Sequence, residues 1–216
     1  MRSVAVLLSA GDSERMGSPK ALLDWHGQPL IAHQLHQVQK SDLNECVVVL
    51  GRDFETLAPL VRRSFRPGWK ARPVRNPRFA EGKCTSIRVG LSSLLARPDA
   101  ILIASVDQPL DHRLIDALLV AGRREWDAAG DAAARPIILP SFEGRRGHPP
   151  LFRGALLPEL LGVQEETHGL QTVVRRLPER VLEIPWNDPG ILINLNTPLD
   201  LAQPSEFDSG RLRPRT

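Results

Sequence analysis

The chain has 216 residues, enough for one domain or one and a half, and its 42% apolar and 25% charged residues exclude a disordered or fibrous chain. Lys+Arg 28 against Asp+Glu 25 leaves a net charge of +3. With no basic block, that balance speaks against a dedicated nucleic-acid binder. The two cysteines, Cys46 and Cys84, make neither a disulfide framework nor a zinc site by themselves. The first apolar run is too short for a signal peptide, and none reaches the ~20 apolar residues of a membrane span. A cytoplasmic protein is expected.

Val4 to Ser9 is a short apolar run that predicts a doubly buried parallel strand. A polar, Gly-bearing loop follows from Ala10 to Pro19. Pro29 opens a predicted helix to Lys40, with Leu30, Ile31, Leu35 and Val38 on one face. Cys46 to Leu50 predicts a second strand stopped by Gly51, and Asp53 a cap for a helix to Phe65. A strand at Ala71 to Arg75 and a helix at Thr85 to Ala96 follow, the helix with Ile87, Leu91, Leu94 and Leu95 inward. Ala100 to Ser105 is the next clear strand, and Asp111 to Gly122 the next helix. Such alternation predicts βαβ units and a parallel sheet.

The second half is less regular. It predicts strands at Ile137 to Leu139 and Pro150 to Phe152, joined by a turn at Gly144 to Gly147. Helices are expected at Gly154 to Leu161 and Leu170 to Leu177, strands at Val181 to Ile184 and Ile191 to Ile193, and a last helical turn at Pro198 to Leu201. One domain over residues 1–202 and a disordered tail over 203–216 are expected.

In an open parallel sheet, ligands bind at the carboxyl ends of the strands. After the first strand comes Leu8-Ser-Ala-Gly11-Asp-Ser-Glu-Arg15-Met-Gly17-Ser-Pro-Lys20. Small residues let the backbone turn its N–H groups toward an anion, and Arg15 and Lys20 add full charges. The spacing is neither a Walker A loop nor a dinucleotide fingerprint. A triphosphate cradle and an ordinary turn both remain open on spacing alone. After Ala100 to Ser105 comes Asp107, in Ser105-Val-Asp-Gln-Pro109. A lone carboxylate at a strand end suits Mg²⁺, which takes one or two carboxylates plus substrate phosphates. The alternative is a turn-forming Asp, but Asp111 is the better cap for the next helix.

These residues resemble a known family. The loop from Leu8 to Lys20 is similar to the signature L-A-A-G-x-S-x-R-M-G-x-x-K of nucleotidyltransferases that modify molybdenum cofactor. Leu22 to Leu30, Asn76 to Gly82, Ser86 to Gly90, Val106 to Pro109, Gly144 to Pro149 and Leu195 to Asp200 resemble its later segments in order. The R-G-H-P turn, Arg146 to Pro149, and the Ala10 that stands where the guanylyl branch has Gly look most like the cytidylyl branch. Asn194 departs from it, standing where that branch often has a carboxylate.

The resemblance implies an α/β, Rossmann-like three-layer fold with a mostly parallel central sheet. It also implies transfer of CMP from CTP to the phosphate of molybdopterin, with release of pyrophosphate. Arg15, Lys20 and Asp107 would be catalytic, and Ser9, Ala10, Gly11, Ser13, Gly17 and Asn76 would bind nucleotide. Gly82, Ser86, Arg145, Arg146, Gly147 and His148 would bind the acceptor, a solvated hairpin tip being the alternative for the turn from Gly144 to His148. Asp107, with Asn194 as a further candidate ligand, would hold Mg²⁺, for which Mn²⁺ could substitute. A molybdenum hydroxylase or its maturation factor would receive the product. Rival readings are guanylyl or other nucleotidyl transfer to a phosphate or sugar-phosphate acceptor, and a non-catalytic molybdenum-cofactor chaperone. Attack by an anionic phosphate needs positioning and charge neutralisation rather than a general base.

Overall fold

The computed structural model describes residues 1–11, 19–65, 69–167, 169–176 and 178–195. Strand β1 is Ser3–Ser9, and a small antiparallel pair follows, β2 (Asp24–Trp25) with β3 (Gln28–Pro29). Helix α1 (Leu30–Lys40), β4 (Glu45–Leu50), α2 (Phe54–Ser64), β5 (Lys70–Arg75), α3 (Lys83–Ser92) and β6 (Ala100–Ser105) complete the alternating half. Then come α4 (His112–Ala133), β7 (Ile137–Phe142), β8 (Arg145–Arg146), β9 (Leu151–Arg153), α5 (Leu157–Leu161), α6 (Leu170–Arg175) and β10 (Val181–Pro185).

The main sheet has the order β10-β7-β9-β6-β1-β4-β5, with β8 paired to β7. The pairs β6–β1, β1–β4, β4–β5 and β7–β10 are parallel, and β9 runs antiparallel to both β6 and β7. The expected α/β fold with a mostly parallel central sheet is therefore observed. Its strands are near-continuous apolar runs because both faces are covered. Alternate side chains serve different layers. Ala5, Leu7, Cys46, Val48 and Leu102 pack with α1, α2 and α4. Val4, Val6, Val47, Val49 and Ile101 pack with α3 and α5. Each fully buried Val, Leu or Ile contributes roughly 1.5–3 kcal/mol. Helix α3 approaches so closely that a Cβ on Gly90 would stand 2.9 Å from Val49 Cγ2 and nearer still to Val6.

Several boundaries differ from expectation. Helix α3 starts at Lys83 and ends at Ser92, leaving Leu95 67% exposed rather than inward. The Ser93 hydroxyl donates to the Val89 carbonyl at 2.7 Å and helps close the helix there. Helix α4 runs on to Ala133, because Leu114, Ile115, Leu118, Leu119 and Trp126 keep a buried stripe beyond the early Gly122. Asp111 caps it as expected, accepting from the Arg113 N–H at 2.9 Å. Asp53 makes no side-chain cap bond to α2. The expected strand at Ile191 to Ile193 is a 3-10 turn over Pro189–Leu192. Asp188 accepts from the Gly190 N–H at 2.8 Å there, and Pro189 sits at the first position, a helix-start chemistry that overrides the apolar run. The turn expected at Gly144 to Gly147 is tighter: Glu143 and Gly144 alone reverse the chain, at φ 49° and 75°, and Arg145–Arg146 already pair back onto β7. The last helical turn, the end of the domain near residue 202 and the tail lie outside the described residues.

Candidate active site

The chain leaves β1 to build β4 and β5 on one side, then returns to lay β6 on the other. The crevice above β1 and β6 is thus the topological switch point, where open α/β sheets bind ligands. A cleft of about 390 Å³ lies there. Its floor is the carboxyl ends of β1 and β6: Leu8, Ser9, Ala10 and Gly11 from the first, and Ser105, Val106 and Asp107 from the second. Its walls are Pro19 to Ala21, Asp53 and Leu57 at the start of α2, and Phe79, Ala80, Gly82, Lys83 and Ser86 around the start of α3.

At its centre Lys20 Nζ donates to Asp107 Oδ2 at 3.1 Å, with the two side chains 19% and 23% exposed. A cation and a carboxylate from segments 87 residues apart thus meet in one cleft. The turn that carries Asp107 is fixed from below by Gln34, fully buried on α1. Its Nε2 donates to the Val106 and Gln108 carbonyls, each at 2.8 Å, and its Oε1 accepts from the Leu110 N–H at 2.9 Å. From above, the Leu195 N–H donates to the Asp107 carbonyl at 2.8 Å, and Gln108 Nε2 donates to Asn194 Oδ1 at 2.8 Å. Asp107 suits a hard cation such as Mg²⁺, which takes a lone carboxylate together with substrate phosphates. Among the described residues no cluster of three or more His, Cys, Asp or Glu could hold a metal by itself. Asn194 is a correction to the expected ligand set, since its oxygen faces Gln108 and it does not line the cleft.

Ser9, Ala10, Gly11, Gly82 and Ser86 all line the cleft. Arg15, Ser13 and Gly17 lie outside the described residues. Asn76 is also corrected, because it is fully buried and absent from the cleft wall. Its Nδ2 donates to Thr85 Oγ1 and Ser86 Oγ, both at 2.9 Å, and its Oδ1 accepts from the Arg78 N–H at 2.9 Å. Asn76 therefore anchors the start of α3 and positions Ser86. Ala10 is only 4% exposed and packs in the core on the α3 side, so its methyl does not narrow the cleft.

The expected acceptor turn is built differently from the expectation. Arg145 and Arg146 are exposed on β8, and Arg146 Nε donates to Glu183 at 2.7 Å. Neither arginine lines the cleft. Gly147 is required by Ile191, whose side chain would stand 2.6 Å from a Cβ there. His148 is half-buried, donates its backbone N–H to the Ile191 carbonyl at 2.8 Å, and precedes a cis Pro149. Burial lowers its proton affinity, with the Lys83 charge acting in the same direction and Asp107 against it. His148 does not line the cleft.

Three residues of the site were not singled out from the sequence. Gln34 carried a signal, a lone amide on the apolar face of α1. Asp53, a predicted helix cap, makes no side-chain cap bond and lines the cleft. Lys83 opens α3 and lines the cleft with Lys20 and Asp107.

A family model described as a MobA-like NTP transferase domain matches residues 5–181. A molybdenum cofactor guanylyltransferase of Pseudomonas fluorescens strain SBW25 is 34% identical over 209 residues, 93% of this chain and 92% of that protein. Another so named, from strain Pf0-1, is 32% identical over 197 residues, 89% and 88% of the two chains. Among solved structures, Rv0371c from Mycobacterium tuberculosis H37Rv superposes with a TM-score of 0.73 at 20% identity, covering 94% of this chain and 97% of that one. A nucleotidyl transferase from Methanothermobacter gives 0.71 at 22% identity, over 94% and 96%. At that identity both likenesses concern the fold. No helix among the described residues is long and apolar enough to cross a membrane.

Proposed function

Since the chain belongs to the MobA-like NTP transferase family, we propose that it transfers a nucleotidyl group from a nucleoside triphosphate to the phosphate of molybdenum cofactor. The observation that carries this reading is the Lys20–Asp107 pair at 3.1 Å on the floor of a switch-point cleft. An acceptor phosphate oxygen bonds to the α-phosphorus in line. The bond between that phosphorus and the α–β bridging oxygen breaks, and pyrophosphate leaves with the electron pair. The backbone from Ser9 to Gly11 approaches the phosphates closely. Lys20 turns from Asp107 to the phosphate charge that grows as pyrophosphate departs. Arg15 stabilises the same leaving group, on the family resemblance of its loop. Asp107 holds Mg²⁺ or Mn²⁺, which when bound neutralises phosphate charge at the reacting centre. No residue need act as general base, because the attacking phosphate is already an anion. A cofactor chaperone would not need a carboxylate and a lysine paired in such a cleft.

The nucleotide favoured is GTP. The relatives of 32% and 34% identity carry guanylyltransferase names. The Asp53 carboxylate in the cleft wall can accept two N–H groups from one purine edge, as guanine offers and cytosine does not. The Ala10 methyl, which would have favoured the smaller base, is buried in the core. CTP is the second reading, favoured by the R-G-H-P turn that ends at His148 and Pro149. A molybdenum hydroxylase or its maturation factor as recipient belongs with that reading. The test is pyrophosphate release with molybdopterin, Mg²⁺ and GTP, CTP, ATP or UTP in competition. Preferential use of CTP would overturn the guanylyl assignment, and no release with any of the four would overturn nucleotidyl transfer to molybdopterin.

A further inference from the structure

We propose that Phe79 is the platform on which the base of the nucleotide stacks, at the end of the cleft away from the Lys20–Asp107 pair. This rests on the transferase reading above and extends it to the base. The cleft is fed by the carboxyl ends of four adjacent strands, β6, β1, β4 and β5 in that order across the sheet. Asp107 follows β6, Ser9 to Gly11 end β1, Asp53 follows β4 and Phe79 follows β5. Neighbouring strands stand about 4.8 Å apart, so β6 and β5 are separated by roughly 14 Å. Lys20 and Asp107 meet at 3.1 Å at the β6 end. The β4–β5 end carries Asp53, Leu57, Phe79 and Ala80 instead. A nucleotide has the same order, an anionic phosphate chain at one end and a flat base with apolar faces at the other.

Among the described residues Phe79 is the only aromatic that lines the cleft. It is half-buried between two exposed neighbours, Arg78 and Ala80. One part of it packs against the core layer under α3, and the rest opens to the cleft. Gly51, at the end of β4, lets the ring settle there. A Cβ on Gly51 would stand 2.9 Å from Phe79 Cγ and 2.5 Å from the Ala10 carbonyl oxygen. The turn that carries Phe79 is held on both sides. The Arg78 N–H donates to the buried Asn76 Oδ1 at 2.9 Å, and the Gly82 N–H donates to the Phe79 carbonyl at 3.2 Å. A ring already fixed by the fold loses little freedom when a ligand covers it, and its π-face stacks on a base of any identity. Stacking and selection are thereby divided: Phe79 holds the base, and the Asp53 carboxylate reads its edge.

Phe79→Leu keeps an apolar side chain without the π-face, and Phe79→Tyr keeps the π-face. Calorimetry compares both with wild type for binding of the α,β-methylene analogues of GTP and CTP, and of inorganic tripolyphosphate, all with Mg²⁺. Affinity for both analogues should fall at least about fivefold in Phe79→Leu, the low end for losing one base–aromatic stack, and return to within about threefold of wild type in Phe79→Tyr. Tripolyphosphate, which has the charge and no base, should bind all three proteins within about twofold. Nucleotide affinity unchanged in Phe79→Leu, an equal fall for tripolyphosphate, or no recovery in Phe79→Tyr overturns the assignment. In wild type, a nuclear Overhauser contact between the Phe79 ring and H8 of the bound GTP analogue should appear, and it needs no substitution to fold; its absence from the saturated complex also overturns the assignment. Turnover of wild type with GTP or CTP, Mg²⁺ and molybdopterin judges the transferase reading separately. Absence of turnover refutes that reading, while the binding comparison still judges Phe79.

Discussion

Replacing Gln34 by Met removes three hydrogen bonds from beneath Asp107 and little volume. The amide donates to the Val106 and Gln108 carbonyls at 2.8 Å and accepts from the Leu110 N–H at 2.9 Å. Val106, Gln108 and Leu110 are 7%, 8% and 2% exposed, so water does not readily take over those contacts. Leaving a buried group unpaired costs about 1–3 kcal/mol. Three such groups give a loss of at least about 3 kcal/mol at the low end of that range, or about 6–12 °C in melting temperature for a chain of this size. Urea and thermal unfolding measure the loss. Turnover measured well below the new midpoint should also fall, because the turn carrying Asp107 is no longer pinned. Gln34→Glu is a sharper probe. Its carboxylate faces two carbonyls, so its folded-state pKa is raised and the folded protein binds the extra proton. Its deficit against wild type should then be largest near pH 8 and shrink as pH falls toward 5. A loss under about 1 kcal/mol in Gln34→Met, with full turnover, would refute the view that this amide holds the Asp107 turn.

Asp107→Asn should fold normally and lose at least about 10²-fold in turnover, as for a major electrostatic stabiliser; near-normal turnover would sink the assignment. Lys20→Ala should lower kcat and kcat/KM together, whereas a rise in nucleotide KM alone would make Lys20 a binding anchor only. Gly90→Ala should destabilise by about 1–3 kcal/mol, because Val6 and Val49 are stiff at χ1 and cannot easily move aside; an unchanged urea midpoint would contradict the close approach of α3 to the sheet. His33 and His148 are both held below the usual histidine value, first of all by burial. The unfolded chain therefore takes up protons first on acidification. Their contribution to stability should be complete above about pH 6.5 and decline as pH falls below it; an imidazole resonance of either residue titrating above that value would contradict its burial.

The strands that build the site were legible because each is buried on both faces. Val4 to Leu8, Cys46 to Leu50 and Ala100 to Ala104 are apolar at every position, and nothing else of that length suits such a run. Ser9 to Gly11 and Asp107 were singled out because small residues and a lone carboxylate follow strand ends, and these residues line the cleft; residues 12–18 of that loop lie outside the described residues. What failed was the distinction between lining a site and supporting it. Asn76 and Ser86 stand ten positions apart in the resembling segments, and only the fold shows that one is sealed in the core and holds the other at the cleft. Arg145 and Arg146 have the charge an acceptor needs, but two residues on one short strand cannot tell the sequence that Glu183, from β10, takes Arg146. Gln34 and Lys83 each break a local rule, an amide on an apolar face and a cation at a helix amino end. Such breaks carry the signal that periodicity alone discards.

The Lys20–Asp107 pair also explains how one cleft can serve two opposed charges. In the free protein the two side chains, 19% and 23% exposed, face each other as an ion pair within the cleft. On the proposed reading, an arriving triphosphate would exchange the carboxylate at Lys20 for phosphate oxygens, a contact of the same charge-assisted kind. Asp107 is then left with its turn still pinned by Gln34 and Leu195, and does not move to find a new partner. The free pair thus stores both groups in the cleft without committing either. A pinned backbone beneath an exchangeable side-chain contact is the arrangement expected where ground-state binding must give way to stabilisation of a transition state. It follows that Asp107→Asn, which removes the charge but not the turn, should leave the melting temperature almost unchanged while turnover collapses. A large loss of stability in that variant would mean that the pair holds the fold together rather than the reaction.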